Sequence, residues 1–381
     1  MDLPVYLDYN ATTPIDPDVL HSMLPFLECE FGNPSSSHWY GISPKKAILT
    51  AREQVATLIG CSPHEIVFTS GGTEANNHAI VGIAKALIDR GNHIITSVIE
   101  HPAVLEPVRF LEDMGFEVTR VGVDTYGIID GDSIRAAMKS TTTIISIMHA
   151  NNEIGSIQPI REISEFAHSR GCVLHTDAAQ SLGKIDVRVD DLGADLLSIA
   201  GHKVYAPKGV GALYIRKGIF PETFMHGATQ ESGRRAGTEN VASIVGLGTA
   251  CEILRGDLPG YASRMTAMRD RLCAGIMGEI DGVRLNGHPD KRLPNTLNLS
   301  FQGLDAPRIL EEIGLEVAAS AGAACHADSV EISHVLRALR IPEDWARGTI
   351  RLSTGRMTTQ DEIDRSVAAI VKAVRSLRSE L

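Results

Sequence analysis

Lys203 stands where a solvated surface charge is out of place. It follows the apolar stretch from Asp195 to Ile199, sits in the turn Gly201-His202-Lys203 and precedes Pro207-Lys208-Gly209. The chemical use of a lysine in such a spot is imine formation with a carbonyl, and pyridoxal phosphate is the commonest resident cofactor of that kind. The bland alternative is an ordinary loop lysine. Ser70-Gly71-Gly72-Thr73-Glu74 lies between a strand pattern and a helix pattern. Free backbone N–H groups and the positive end of a helix dipole favour a phosphate there, with Thr73 adding a hydroxyl. A tight turn before a capped helix reads the same way. Asp177 ends the apolar run from Cys172 to Thr176. It can pair with a pyridine nitrogen and keep it protonated, or serve as a helix N-cap. His101, after another strand pattern, either stacks on a flat ring or caps the helix that starts at Pro102.

Six cysteines (Cys29, Cys61, Cys172, Cys251, Cys273 and Cys325) form no Cys-x-x-Cys pair. A disulfide framework is therefore not expected, and neither is a metal site. Cys325 differs from the rest, because Ser320 to Ser329 surrounds it with small and polar residues, as for an accessible thiol on a loop. A loop cysteine without a role is the alternative. The pairs Gly209/Gly211 and Gly246/Gly248 lack the third glycine and the strand-to-helix context of a dinucleotide fingerprint.

These residues need elements to hold them. Asp16-Pro17 opens a helix through Leu27, and Ser43-Pro44 opens another through Ile59. Strand patterns follow at 65–69, 93–99, 116–123, 143–148 and 172–176, alternating with helix patterns at 73–89, 102–114, 133–138 and 160–169. Short continuous apolar strands alternating with helices predict a mostly parallel sheet covered on both faces. Two further strands are expected at 195–199 and 210–215, the second reversed after the Pro207 loop. A helix at 239–254 then breaks at 256–260, which is the candidate domain boundary. The expected division is a large cofactor-binding domain over 13–256 and a smaller α+β domain from 1–12 and 257–381, which carries the Cys325 loop.

With 381 residues, two domains have ample material for a core. Thirty-six basic against 47 acidic residues, a net charge of -11, argue against a broad nucleic-acid or anionic-membrane surface. No basic n-region with an apolar h-region opens the sequence, and no run is long enough to span a bilayer. A cytoplasmic protein is expected.

The chain resembles the cysteine desulfurases and selenocysteine lyases, class-V aminotransferase-like enzymes of the pyridoxal-phosphate fold type I. Blocks that carry the resemblance run nearly end to end: Tyr6 to Pro14, Gly32 to Ser36, Phe68 to Asn77, Glu100 to Val104, His149 to Gly155, His175 to Gln180, Gly201 to Lys203, Gly237 to Asn240 and Arg351 to Arg356. The resemblance implies a homodimer that uses pyridoxal 5'-phosphate to take sulfur from L-cysteine, leaving L-alanine and a persulfide on Cys325 for an acceptor such as an iron-sulfur scaffold. Selenocysteine lyase, acting on L-selenocysteine, is the runner-up, and a class-V aminotransferase a third reading. By the same resemblance Lys203 is the imine-forming lysine, Asp177 partners the pyridine nitrogen, and Gln180 partners the ring oxygen. His101 stacks on the ring and handles a proton, while Gly72, Thr73 and His202 hold the phosphate. Thr238 reaches the phosphate of the neighbouring subunit, Asn152 sits beside the ring oxygen and substrate, and Arg351 forks onto the substrate carboxylate. One departure stands out: many cysteine desulfurases have serine three residues before the lysine, and this chain has Ala200. That residue and the wording Gly322 to His326 lean towards the lyases, whereas the length from Cys325 to Ser333 matches the long-loop desulfurases.

Overall fold

The computed structural model describes residues 3–321 and 332–380, with the backbone of 325–326 and 329–330 between them. Strands that are apolar along their whole length must be covered on both faces, and the main sheet follows that rule. Its seven strands run in the order Ile66–Thr69, Gly211–Ile215, Leu196–Ala200, Val173–Asp177, Thr142–Ser146, His93–Ser97 and Glu117–Val121. Neighbours are parallel except at Gly211–Ile215, which runs antiparallel to both of its partners. The reversal expected after the Pro207 loop is thus present.

One face of this sheet packs Val67, Ile94, Ile144 and Leu213 against Ile80 and Ile83 of Gly72–Ala86 and Val104 and Leu111 of Pro102–Asp113. Phe68, Leu197, Ile199 and Tyr214 point the other way, onto Val55 and Ile59 of Trp39–Ile59 and Leu247 and Leu254 of Val241–Glu279. A second, antiparallel sheet runs Ser320–Ala321, Thr349–Ser353, Thr296–Phe301 and Val283–Leu285. Its core joins Leu297, Leu299 and Ile350 to Leu272, Ile276, Ile370 and Val374. The chain start belongs to this core: Val5–Tyr6 pairs parallel with Val317–Ala318, and Val5 and Leu7 are buried in it.

Two elements differ from the sequence pattern. The second helix begins at Trp39, not at Ser43, and Pro44 lies inside it as a buried residue. A proline in that position loses one helical hydrogen bond, which the buried face of Gly41, Ile48, Ala51 and Val55 outweighs. The expected break at 256–260 is a kink within Val241–Glu279. Asp257 leaves helical space (φ -153°, ψ 43°), and its Oδ1 accepts from Gly260 N–H at 3.2 Å, so it caps the second half while Pro259 needs no donor in that first turn.

Candidate active site

A cavity of about 330 Å³ opens at the C-terminal ends of the parallel strands, where open α/β sheets place their ligands. Nine of the residues singled out in the sequence line it: Gly72, Thr73, His101, Asn152, Asp177, Gln180, His202, Lys203 and Arg351. Lys203 is delivered by the one-turn helix Gly201–Lys203, directly after the strand Leu196–Ala200. Its Nζ donates to the carbonyl oxygens of Asn10 and Ala11, both at 2.7 Å. Burial and the nearby Arg351 charge bring the amine down to about 8, against the opposing pull of Asp8 and Asp177. A sizeable uncharged fraction is then present near neutral pH, which a nucleophilic lysine needs.

Asp177 closes the strand Val173–Asp177 beside Ser198 of the next strand. Asn76 Nδ2 donates to its Oδ2 at 2.7 Å and the Ala179 N–H to its Oδ1 at 2.8 Å. Both partners are neutral, so neither of these bonds is an ion pair. His101 serves as the helix cap, and its ring is also at the cavity. Its Nδ1 accepts from Ala103 N–H at 3.0 Å and so caps Pro102–Asp113, while the ring lines the cavity. Burial, foremost, holds its pKa below the ordinary histidine value, with Lys203 and His334 acting in the same direction and Asp177 against. Behind it Glu100 is fully buried; Ser97 Oγ donates to it at 2.6 Å and Met148 N–H at 3.0 Å, and burial pushes the carboxyl up to about 8.

The glycine turn forms the far wall. Gly72 starts the helix Gly72–Ala86, so the N–H groups of Gly72 and Thr73 have no carbonyl within it to bond. Glu74 also lines the opening on this side, but its charge is paired there with Arg235, which donates to it at 2.8 and 3.1 Å, and the Ser70 N–H donates to it at 2.8 Å. On this side the cavity adjoins an opening lined by Thr12, Gly71, Thr73, His202 and Lys208. His202 is kept uncharged by burial and by Lys203 and Lys208, its pKa falling to about 4; Nδ1 faces Thr12 Oγ1 at 3.2 Å. Amide donors, a hydroxyl and a lysine around a glycine turn make an anion cradle. Ala200 borders it: a β-carbon on Gly72 would lie 3.3 Å from the Ala200 methyl.

A family model described as aminotransferase class-V matches residues 5–365. A cysteine desulfurase IscS of Dictyoglomus turgidum is 48% identical over 380 residues, covering 100% of this chain and 96% of that protein. Another, from Methanosarcina thermophila, is 46% identical over 376 residues, covering 98% and 93%. The chain belongs to the class-V aminotransferases, in the cysteine desulfurase family. A solved NifS-like protein is similar with a TM-score of 0.92 and 36% identity over 100% of both chains. SspA in complex with cysteine gives 0.81 and 38%, covering 93% of this chain and 99% of its own. The fold is that of the pyridoxal-phosphate enzymes of fold type I, and the chain is an enzyme of this family.

In this member of the cysteine desulfurase family, Arg351 lies mid-strand in Thr349–Ser353. It donates from one terminal nitrogen to Asp8 Oδ1 at 2.8 Å and from the other to the Asn152 carbonyl at 3.1 Å. Its buried Nε has no partner among the described residues. Thr238 is exposed and lines a separate cleft with Ser70 and Arg235, so the cavity of this chain does not include it. The side chain of Cys325 lies outside the described residues. Both flanks of its segment reach the site: Ser320 pairs with Arg351, Ser333 Oγ donates to Glu153 Oε2 at 2.6 Å, and His334 Nε2 to the Glu100 carbonyl at 3.0 Å.

Several residues of the site were assigned no role from the sequence, although Asp8, Asn10 and Asn76 lie within the blocks that carry the resemblance. Asn10 is the hub. Its carbonyl accepts from Lys203 and Gln180, its Nδ2 donates to the Asn152 carbonyl and Thr296 Oγ1, and its Oδ1 accepts from Asn295 Nδ2. Asp8, Asn76 and Lys184 were missed as well. Asn76 had a further cue, lying one helical turn after Gly72 and so on the same face.

Proposed function

We propose that the protein is a cysteine desulfurase that binds pyridoxal 5'-phosphate, takes sulfur from L-cysteine and leaves L-alanine. The observation that carries this reading is the convergence of the Lys203 amine and the Asp177 carboxylate on one cavity walled by the 70–74 turn. The residues present fit the cofactor: an anion cradle at one end, a carboxylate with neutral partners at the other, and an amine lowered to about 8 between them. When bound, pyridoxal phosphate supplies an electron sink for negative charge at the substrate's Cα.

In this reading Gly72, Thr73 and His202 hold the phosphate, and Thr238 does the same across a homodimer. Asp177 pairs with the pyridine nitrogen and Gln180 with the ring oxygen, and His101 lies against the ring. The uncharged Lys203 amine moves the proton at Cα. Arg351 binds the substrate carboxylate, exchanging the Asp8 carboxylate for it, and Asn152 helps orient the amino acid. The Cys325 thiolate attacks the substrate sulfur: an S–S bond forms, the C–S bond breaks, its electron pair stays with carbon, and that carbon gains a proton to become the alanine methyl group. The persulfide then passes to an acceptor protein, such as an iron-sulfur scaffold.

A homodimer also accounts for Phe31, Trp39, Tyr40 and Ile42, exposed apolar side chains among which the Phe31 and Tyr40 rings stack at 5.6 Å. Residues 13–256 and the pair 1–12 with 257–381 are proposed as the two domains. A cytoplasmic setting fits the free thiols of Cys29, Cys61, Cys172, Cys251 and Cys273. No described helix is long and apolar enough to cross a membrane. Two features favour selenocysteine as substrate: Ala200, which leaves the cradle one hydroxyl short, and the lyase-like wording Gly322 to His326.

The deciding experiment replaces Cys325 with serine and measures alanine, sulfide and selenide from L-cysteine and L-selenocysteine side by side. Alanine from L-cysteine is expected to fall by at least about 10²-fold, with no persulfide trapped, while exchange of the α-proton continues. Parental alanine release from L-cysteine in that variant would overturn the desulfurase reading. Activity kept on selenocysteine alone would point to the lyase.

A further inference from the structure

Lys184 is a lysine with 4% of its surface exposed, and both oxygens facing its amine belong to amides. Its Nζ donates to Gln180 Oε1 at 2.8 Å and lies 3.4 Å from Asn10 Oδ1. Burial, reinforced by the charges of Lys203 and Arg351, holds this amine well below the ordinary lysine value, and no carboxylate is among the oxygens it donates to. The far end of the Gln180 amide fixes the geometry. Gln180 Nε2 donates to the Asn10 carbonyl at 3.0 Å, and the reversed amide would set oxygen against oxygen there. With Nε2 committed to the cavity side, Oε1 is left as a buried acceptor that requires a donor from below. Lys184 supplies it. The same Asn10 carbonyl accepts from Lys203 at 2.7 Å, so the two lysines are joined through Asn10 and Gln180.

We propose that Lys184 is a positioning residue: its amine pins the Gln180 carbonyl oxygen, so that Gln180 presents its NH₂ group to the cavity and to the ring oxygen of the cofactor. This rests on the pyridoxal-phosphate reading above. A lysine suits the post because it combines reach with a donor and can shed its charge. Arginine cannot lose its proton, and would add a third cation beside Lys203 and Arg351. The other charged groups acting on the Lys203 end of this network are Asp8 and Asp177.

The test is the visible absorption of the protein reconstituted with pyridoxal phosphate, titrated against pH, for the parent, Lys184→Met, Gln180→Leu and the double variant. Losing a neutral hydrogen bond to the ring oxygen is worth roughly 0.5 unit or more in the titration midpoint. Both single variants are expected to shift the midpoint in the same direction by that amount. The double variant is expected to shift no further than either, because the residues act as one unit. Lys184→Gln, which keeps a donor, is expected to recover part of the parental midpoint and stands in if Lys184→Met does not fold. A Lys184 variant that titrates like the parent while Gln180→Leu shifts, or a double shift equal to the sum of the two, overturns the proposal. A parent protein that gains no visible band with pyridoxal phosphate overturns the cofactor reading, and this inference with it.

Discussion

A lysine and a carboxylate are suited to the roles proposed for them by what surrounds them. Lys203 is lowered to about 8 chiefly by burial, and Asp177 is held by two neutral donors. Lys203→Ala is expected to abolish covalent retention of the cofactor after borohydride reduction and to lower alanine formation by about 10²–10⁴-fold. Mass measurement of the reduced protein checks it, and a reduced adduct on another lysine would refute the assignment. Asp177→Ala should slow α-proton exchange at least about 10²-fold while the protein still folds, with Asp177→Glu milder; exchange at the parental rate would make Asp177 no more than a turn residue. These residue types were legible in the sequence because each sits at the end of an apolar run, where a charge has no structural excuse. Asn10 and Lys184 were not, since a buried amide or a lysine in a turn gives no pattern, and their roles come from partners more than 140 residues away, save for the Lys184 bond to Gln180.

At the scale of elements, the cavity depends on how closely one strand can approach a turn. Gly211 opens the reversed strand Gly211–Ile215, and a β-carbon on it would lie 2.4 Å from the Ile199 carbonyl oxygen and 2.8 Å from the Gly71 backbone. Backbone cannot yield as a flexible side chain can, so Gly211→Val is expected to cost about 1–3 kcal/mol of stability and to displace the glycine turn. Urea unfolding measures the first effect. A weakened affinity for pyridoxal phosphate, read by absorbance titration, measures the second, and parental values in both would show that the turn is not held by this strand. Strand order could not be read from periodicity, although the number and kind of elements could. The reversal at Gly211–Ile215 was legible because Pro207 and Gly209 leave too little chain for a crossover helix. The start of the second helix was misplaced for an equally local reason: Pro44 resembles a first-turn proline, and the packing that lets it sit deeper in the helix is tertiary.

The whole molecule adds a dependence that no single element has. His78, His149 and His175 are buried, and desolvation holds them to about 4, about 4 and about 3, so they fold uncharged. Unfolding returns each to an ordinary value near 6.5, and below that pH the unfolded chain binds more protons than the native one. Stability must therefore fall as pH drops from about 6.5 towards 4. Glu100 works in the opposite sense: raised to about 8 by burial, it is protonated in the native state and largely ionised in the unfolded chain at pH 5 and above. Set against each other at pH 5, the three histidines take up about two protons more on unfolding than Glu100 gives back. Urea unfolding at pH 5.0, 5.5 and 6.0 is expected to show stability rising with pH by about 2–3 kcal/mol per pH unit at the acid end. His175→Gln removes the group whose Nδ1 faces Ser146 Oγ at 2.8 Å and Nε2 faces Ser198 Oγ at 3.0 Å, and it should flatten that slope by about one proton's worth whatever it costs in absolute stability. A parental slope in this variant would mean that His175 is not buried as a neutral ring, and that the acid sensitivity has another source.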